Sequence, residues 1–299
     1  VKRTGAILVL VLLLGLAVLL HRTPRAEGPR RSPRPEVAAA LPPEPGPAAV
    51  AAPEPPPPQE PPRPRPPVPP SVRPPELSPV YNLPGNAILR GSVKILGEPP
   101  PRKKIRMLSD PKCVEKHPSE VLKDDLVVDR DGGVKWAFVY IASGINNQPP
   151  KEPLPPLLLD QVGCMFEPHM LGIRTGQPLN IYNTDGILHL AHSIATDNRE
   201  FNFGMTPDEQ CRTVTFSQRE VMVRLKCDIH PWMAAWIGVL DHPYFSVTSG
   251  TGSYGIPNLP AGRYVVQVWH EVYATVTREV DVPPGADVLL DFILDARKQ

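Results

Sequence analysis

The chain has 299 residues, enough for about two ordinary domains, and its formal net charge is only +1. A charge so balanced offers no broad basic field of the kind that nucleic-acid binding uses. Proline is the outlier, with 43 residues concentrated toward the N-terminal part of the chain, so that part is read separately from the rest.

Lys2 and Arg3 precede an unbroken apolar run over residues 5–20. As a helix at about 1.5 Å per residue the run spans about 24 Å, slightly short of a bilayer core of about 30 Å. It is also slightly long for a signal-peptide core. No small-x-small cleavage site precedes His21 and Arg22, and no Cys follows the run for a lipid anchor. Residues 1–22 are therefore expected to be an uncleaved signal-anchor helix in the membrane, with a cleaved signal peptide as the alternative. Either implies export to a periplasmic or other extracytoplasmic location. Residues 23–80 are dominated by Pro, Ala, Glu and Arg, with no apolar periodicity. Such a segment cannot bury enough surface to offset its chain entropy and is expected to be a disordered, extended spacer. A ligand for a proline-binding module or for cell-wall polymer is the alternative.

Folded sequence is expected from residue 81. Residues 87–96 read as a strand ended by Glu98-Pro99-Pro100-Pro101. Residues 126–129 and 134–141 read as a hairpin around Asp131-Gly132-Gly133. Further strands are expected over 171–174, 179–182, 213–216, 221–227 and 234–241, and at most one short helix within 112–122. Many short strands separated by turn residues imply an all-β sandwich or Greek-key barrel.

The stretch Cys227-Asp228-Ile229-His230-Pro231-Trp232-Met233 follows the alternating apolar strand over 221–225. Pro231 ends regular pairing, so a thiolate, an imidazole and a thioether fall on one turn. Two His and one Cys in a plane, with a weak axial Met, is the ligand set of a blue-copper centre. The second His is sought upstream, where Gly176-Gln177-Pro178-Leu179-Asn180-Ile181-Tyr182 and a polar loop lead to His189. These two stretches resemble the cupredoxins, and most the amicyanin, pseudoazurin and plastocyanin group with its Cys-x-x-His-x-x-Met loop. The resemblance implies copper held by His189, Cys227, His230 and Met233, and single-electron transfer. It also implies that His230 reaches the surface through an apolar patch. Pro231 and Trp232 would form that patch and dock a c-type cytochrome or a periplasmic oxidoreductase. One departure is Leu190, where the family usually has an Asn that ties the two ligand loops together. His192 is the rival of His189, but three residues along a strand turn it to the opposite face. The plainer alternative makes Cys227 half of a disulfide, His189 and His230 surface residues, and Met233 core.

Residues 242–299 form a second unit. Gly252-Ser253-Tyr254-Gly255-Ile256-Pro257-Asn258-Leu259-Pro260-Ala261-Gly262-Arg263-Tyr264 resembles the carboxypeptidase regulatory-like family, a small transthyretin-like β-sandwich. This divides the chain into a cupredoxin-like domain over 81–241 and a regulatory-like sandwich over 242–299. The second unit is short for a full sandwich. The strand over 87–96 is the candidate for its missing edge, which would insert the copper domain within the second sandwich. Cys113 with His117, and Cys164 with His169, sit in stretches similar to exported methylamine-utilisation-like proteins that fuse the same two modules. In an oxidising compartment that resemblance favours a Cys113–Cys164 disulfide, with a second metal site from these four residues as the alternative and Cys211 left over. No phosphate loop, nucleophile elbow or His-Glu-x-x-His motif is present, so no enzyme is expected. A copper carrier or sensor, and a metal-free binding module, are the competing functional readings.

Overall fold

The structure, a computed structural model, describes residues 85–145 and 153–297. The segment expected to be an anchor (1–22) and the spacer (23–80) lie outside the described residues. Among the described residues no helix is long and apolar enough to cross a membrane.

The elements in chain order are β1 (Ala87–Leu96), α1 (Pro111–Glu115), β2 (Val127–Val128), β3 (Val134–Lys135), β4 (Phe138–Ser143), β5 (Leu157–Val162) and β6 (Met165–Glu167). Then come β7 (Met170–Arg174), β8 (Pro178–Asn183), β9 (His189–Ile194), β10 (Asn202–Met205), β11 (Cys211–Thr215), β12 (Glu220–Lys226) and β13 (Ala234–Leu240). The last are β14 (Phe245–Val247), β15 (Ser253–Leu259), β16 (Gly262–Trp269), β17 (Val276–Val282), β18 (Asp287–Leu289) and β19 (Phe292–Asp295). The fold is all β, as the density of short alternating runs predicts.

Two sheets, ordered β10-β9-β12-β13-β7 and β11-β8-β5-β6, form a first β-sandwich. Its core comes from period-two alternation: β8 turns Leu179 and Ile181 inward against Val223 and Leu225 of β12 and Ile237 and Val239 of β13. A second sandwich is built from the sheet β15-β1-β18, which β19 joins through β1, and from the sheet β14-β4-β16-β17. Leu89 and Val93 of β1 meet Val139 and Ile141 of β4 and Val266 and Val268 of β16 in its core.

Strand β1 decides the topology. It pairs antiparallel with β15 and parallel with both β18 and β19. Strand β4 likewise pairs with β14 and β16. Strand pairing therefore draws the boundary differently from a division at 241/242. The second sandwich takes strands from both ends of the described chain, and β5–β13 is inserted between β4 and β14. The physical reason is the shortage of chain after Asp241: each sheet takes an inner strand from before the insertion, β1 in one and β4 in the other, rather than the single edge expected. The hairpin expected over 126–141 forms around its turn, where β2 pairs antiparallel with β3, but its second strand is interrupted. Trp136 adopts a left-handed φ of 65° and separates β3 from β4, which no residue pattern announces.

The two sandwiches meet where glycine leaves room. Gly172 of β7 and Gly238 of β13 are direct partners across a parallel pair. A Cβ at Gly172 would lie 2.3 Å from Phe245, and one at Gly238 would lie 2.4 Å from Phe138. The two phenyl rings, 5.6 Å apart, rest on this glycine pair within a buried cluster that includes Met170 and Leu240. Gly238→Ala is expected to cost about 1–3 kcal/mol by overpacking. A denaturant midpoint equal to the parent's would overturn the claim that the ring packs on bare backbone.

Two histidines of the second sandwich are buried and neutral. His242 Nε2–H donates to the Ile141 carbonyl at 3.0 Å, while its Nδ1 accepts from the Tyr244 amide at 3.3 Å. His270 Nδ1 accepts from the Val272 amide at 3.2 Å. Burial pushes each imidazole down to about 4. Unfolded imidazoles titrate near about 6.5, so below that pH the unfolded chain takes up protons that the folded chain refuses. Stability is therefore expected to be full above about pH 6.5 and to fall toward pH 4, by up to about 1.4 kcal/mol per pH unit for each histidine. Urea unfolding across that range measures the slope, and a flat profile would show that these imidazoles are not held neutral.

Candidate metal centre

The loop 227–233 leaves β12 and returns into β13. Its stem is closed by the pairing of Lys226 with Ala234. Inside it, the Cys227 amide donates to the Met233 carbonyl at 3.3 Å and the Met233 amide donates to the His230 carbonyl at 2.9 Å. Strand β9 lies beside β12 in the same sheet and starts at His189, so the two ligand-bearing stretches are brought together by ordinary sheet pairing.

His189, Cys227 and His230 converge, with their ligand atoms all within 4.8 Å of one another. The two Nδ1 atoms stand 2.9 Å apart, and Cys227 Sγ is 3.7 Å from His230 Nδ1. Met233 is completely buried in the same core, at 0% exposure, and the three converging residues are at 1% or less. The Leu190 amide donates to Cys227 Sγ at 3.3 Å, so the backbone at this position ties the two stretches even without an Asn side chain.

Two carboxylates orient the imidazoles. His189 Nε2 lies 2.9 Å from Asp185 Oδ2, and His230 Nε2 lies 3.1 Å from Asp110 Oδ2. Asp185 also accepts from the Gly163 and Cys164 amides at 2.7 and 2.6 Å and pairs with Lys116 Nζ at 3.0 Å. Burial raises the Asp185 carboxyl, but His189, the Cys164 amide and Lys116 together hold it below the usual carboxylate range. The hydrogen bond with His230 likewise lowers Asp110, against a smaller effect of burial. Both carboxylates are thus acceptors only, and each Nε2 is a donor. Each Nδ1 then turns a lone pair toward the other, and at 2.9 Å the pair needs a cation between them, a proton or a metal ion. Burial alone would push the Cys227 thiol up; His189 and the amides of Leu190, His230 and Ile229 outweigh it and bring it below the ordinary thiol range. The imidazole of His189 is lowered by burial but raised overall by Asp185 and Cys227. Two imidazole lone pairs and an easily ionised thiol in a dry pocket are the donor chemistry of a soft metal site, and they fit copper.

The surface expected at His230 is not there. His230 is buried, and its Nε2 edge is covered by the strap that carries α1. Asp110 caps α1 by accepting from the Lys112 amide, Cys113 is disulfide-bonded to Cys164, and His117 Nε2 lies 2.6 Å from the Gly163 carbonyl. Trp232 packs 5.1 Å from the His230 ring and donates its Nε1–H to the Cys164 carbonyl at 3.0 Å, leaving Pro231 as the exposed member of the expected patch. His192 points away and pairs with Asp228. The alternative site from Cys113, His117, Cys164 and His169 is not assembled. His169 contacts Glu271 and the Ala234 carbonyl instead. Cys211 is an exposed free thiol. Asp110 and Asp185 escaped sequence reasoning. Asp185, four residues before His189 in the polar loop, was the one a closer look at local spacing would have found.

No protein-family model matches the chain, and no curated protein matches it. Among solved structures it is similar to a copper-containing nitrite reductase from Thermus scotoductus SA-01, at 24% identity and a TM-score of 0.27, over 33% of this chain and 25% of that one. The chain thus spans about a quarter of that reductase. It is similar to a purple cupredoxin from Nitrosopumilus maritimus at 18% identity and a TM-score of 0.24, over 28% of this chain and 98% of that one. A reduced variant of amicyanin aligns at 20% identity and a TM-score of 0.26, over 34% of this chain and 97% of that one.

Asp185→Asn removes the carboxylate behind His189. In the metal-free protein the imidazole titration of His189, followed by NMR, is expected to move down. Copper affinity is expected to weaken about 10–100-fold, as for other groups that orient a ligand from behind. An unmoved titration would show that Asp185 does not govern this imidazole.

Proposed function

We propose that this chain is an exported type 1 copper protein that carries single electrons, and that it is not itself an enzyme. The observation that carries this reading is the convergence of His189, Cys227 and His230 in a dry pocket, with Met233 on the same loop. Copper there would supply a one-electron couple, and His189, Cys227, His230 and Met233 are the residues that would hold it. The residues supply a rigid frame. The loop is closed on its stem by two backbone hydrogen bonds, and each imidazole is fixed by a carboxylate, so little has to move when charge changes.

The Cys113–Cys164 disulfide favours an oxidising compartment, in keeping with export and with a membrane anchor at 1–22. A c-type cytochrome or a periplasmic oxidoreductase is the proposed redox partner. Strands β1, β4 and β14–β19 are proposed to be a regulatory-like module with a structural or binding role. The carrier reading is weaker because the three converging side chains are sealed from solvent, which opposes ready transfer of copper to an acceptor.

Cu(II) added to the full chain is expected to bind at one per chain and to give an intense blue thiolate-to-copper absorption. Cys227→Ser is expected to abolish the colour. Tight copper without the band would leave a carrier or sensor, and no specific copper at all would leave a metal-free binding module.

A further inference from the structure

The disulfide lies directly behind the candidate copper ligands. Cys113 Sγ is 3.7 Å from His230 Nε2, on the ring edge away from Cys227, and Asp110 Oδ2 is 3.1 Å from the same nitrogen. The three ligand atoms of Asp110, Cys113 and His230 all fall within 4.8 Å of one another. Cys164 contributes a second sulfur, bonded to the first. In a tetrahedral site with metal–sulfur bonds of about 2.3 Å and metal–nitrogen or metal–oxygen bonds of about 2.0–2.2 Å, sulfur and nitrogen stand about 3.6 Å apart and nitrogen and oxygen about 3.4 Å. The separations seen here are close to both. Cys164 Sγ groups instead with Asp185 and His189, so once the bond to Cys113 is broken it must swing toward His230 to serve as the fourth ligand.

We propose that Cys113, Cys164, Asp110 and His230 Nε2 form a second soft-metal site when the disulfide is reduced, back to back with the first and sharing His230. The reducing partner is a dithiol. It gives two electrons and two protons to the S–S bond, which breaks to two thiols while the dithiol becomes a disulfide. Binding of a divalent ion then releases the two thiol protons. The Nε2 proton also leaves, or moves to Nδ1 where that nitrogen holds no metal. Both sulfurs are fully buried, so the strap carrying α1 must lift for the reductant and settle again over the metal. In the disulfide form the same atoms only seal the first site. Thiol redox state thus decides whether the chain holds one metal or two.

The geometry does not depend on Cys227, so the test is run on full-length Cys227→Ser protein, in which the first site is disabled. The protein is reduced with dithiothreitol, freed of reductant under anaerobic conditions and titrated with Cd(II). One equivalent is expected to bind with an ultraviolet thiolate-to-cadmium band of two-thiolate intensity, and the unreduced protein is expected to show none. His230→Ala in the same background is expected to weaken binding at least tenfold, and Cys113→Ser with Cys164→Ser to abolish the band. If the reduced protein gives no two-thiolate band, or if the affinity is unchanged by His230→Ala, the shared site does not exist. A blue copper band in the parent protein, read separately, reports on the first site alone, so the two readings fail independently. Circular dichroism of each variant separates loss of the site from loss of the fold.

Discussion

The imidazoles of His189 and His230 face each other through Nδ1 at 2.9 Å, and the local structure is built to hold them there. Left alone, two imidazoles would rotate so that one donates to the other or both reach water. Here neither ring can turn. Asp185 takes one Nε2 proton and Asp110 the other, from opposite sides. Asp185 is itself fixed by two backbone amides and by Lys116, and Asp110 is fixed as the cap of α1. The disulfide then locks α1 onto the sandwich. The constraint passes outward from two ring nitrogens to a strap that the sheet itself would not have required.

Much of the framework was legible from the chain alone. The strand at 87–96 was bounded by a proline run and appears with those limits as β1. The strand after the loop, expected over 234–241, appears as β13 (Ala234–Leu240), and the convergence of His189, Cys227 and His230 followed from two motifs and their flanking strands. The partnership of β1 with β15, β18 and β19 was raised only because the C-terminal unit was short, since strand alternation carries no address for a distant partner. Other features left no trace. Trp136 takes a left-handed φ that favours Gly, and Gly172 and Gly238 read as weak strand residues until the rings of Phe138 and Phe245 are seen lying on them. The sealing of His230 was unreadable for a related reason: α1 is five residues long, and nothing in so short a helix says where it docks.

Charge explains why the sealed arrangement suits a cation. A buried charge is tolerated only when it is paired. Around the two imidazoles lie the Asp185 carboxylate, the Cys227 thiol held below its ordinary range and the Asp110 carboxylate at the edge. Lys116 is the single basic side chain of the cluster that ion-pairs with any of them, and it serves Asp185. The ionised site therefore carries more negative than positive charge, in a volume closed to water. A proton shared between the rings relieves part of that imbalance. A metal ion held by these side chains would relieve more of it, and would do so without disturbing either carboxylate. This is the sense in which Asp110 and Asp185 belong to the site although neither needs to touch the metal. They align the rings, and the charge they add makes the space between the rings unfavourable for anything but a cation.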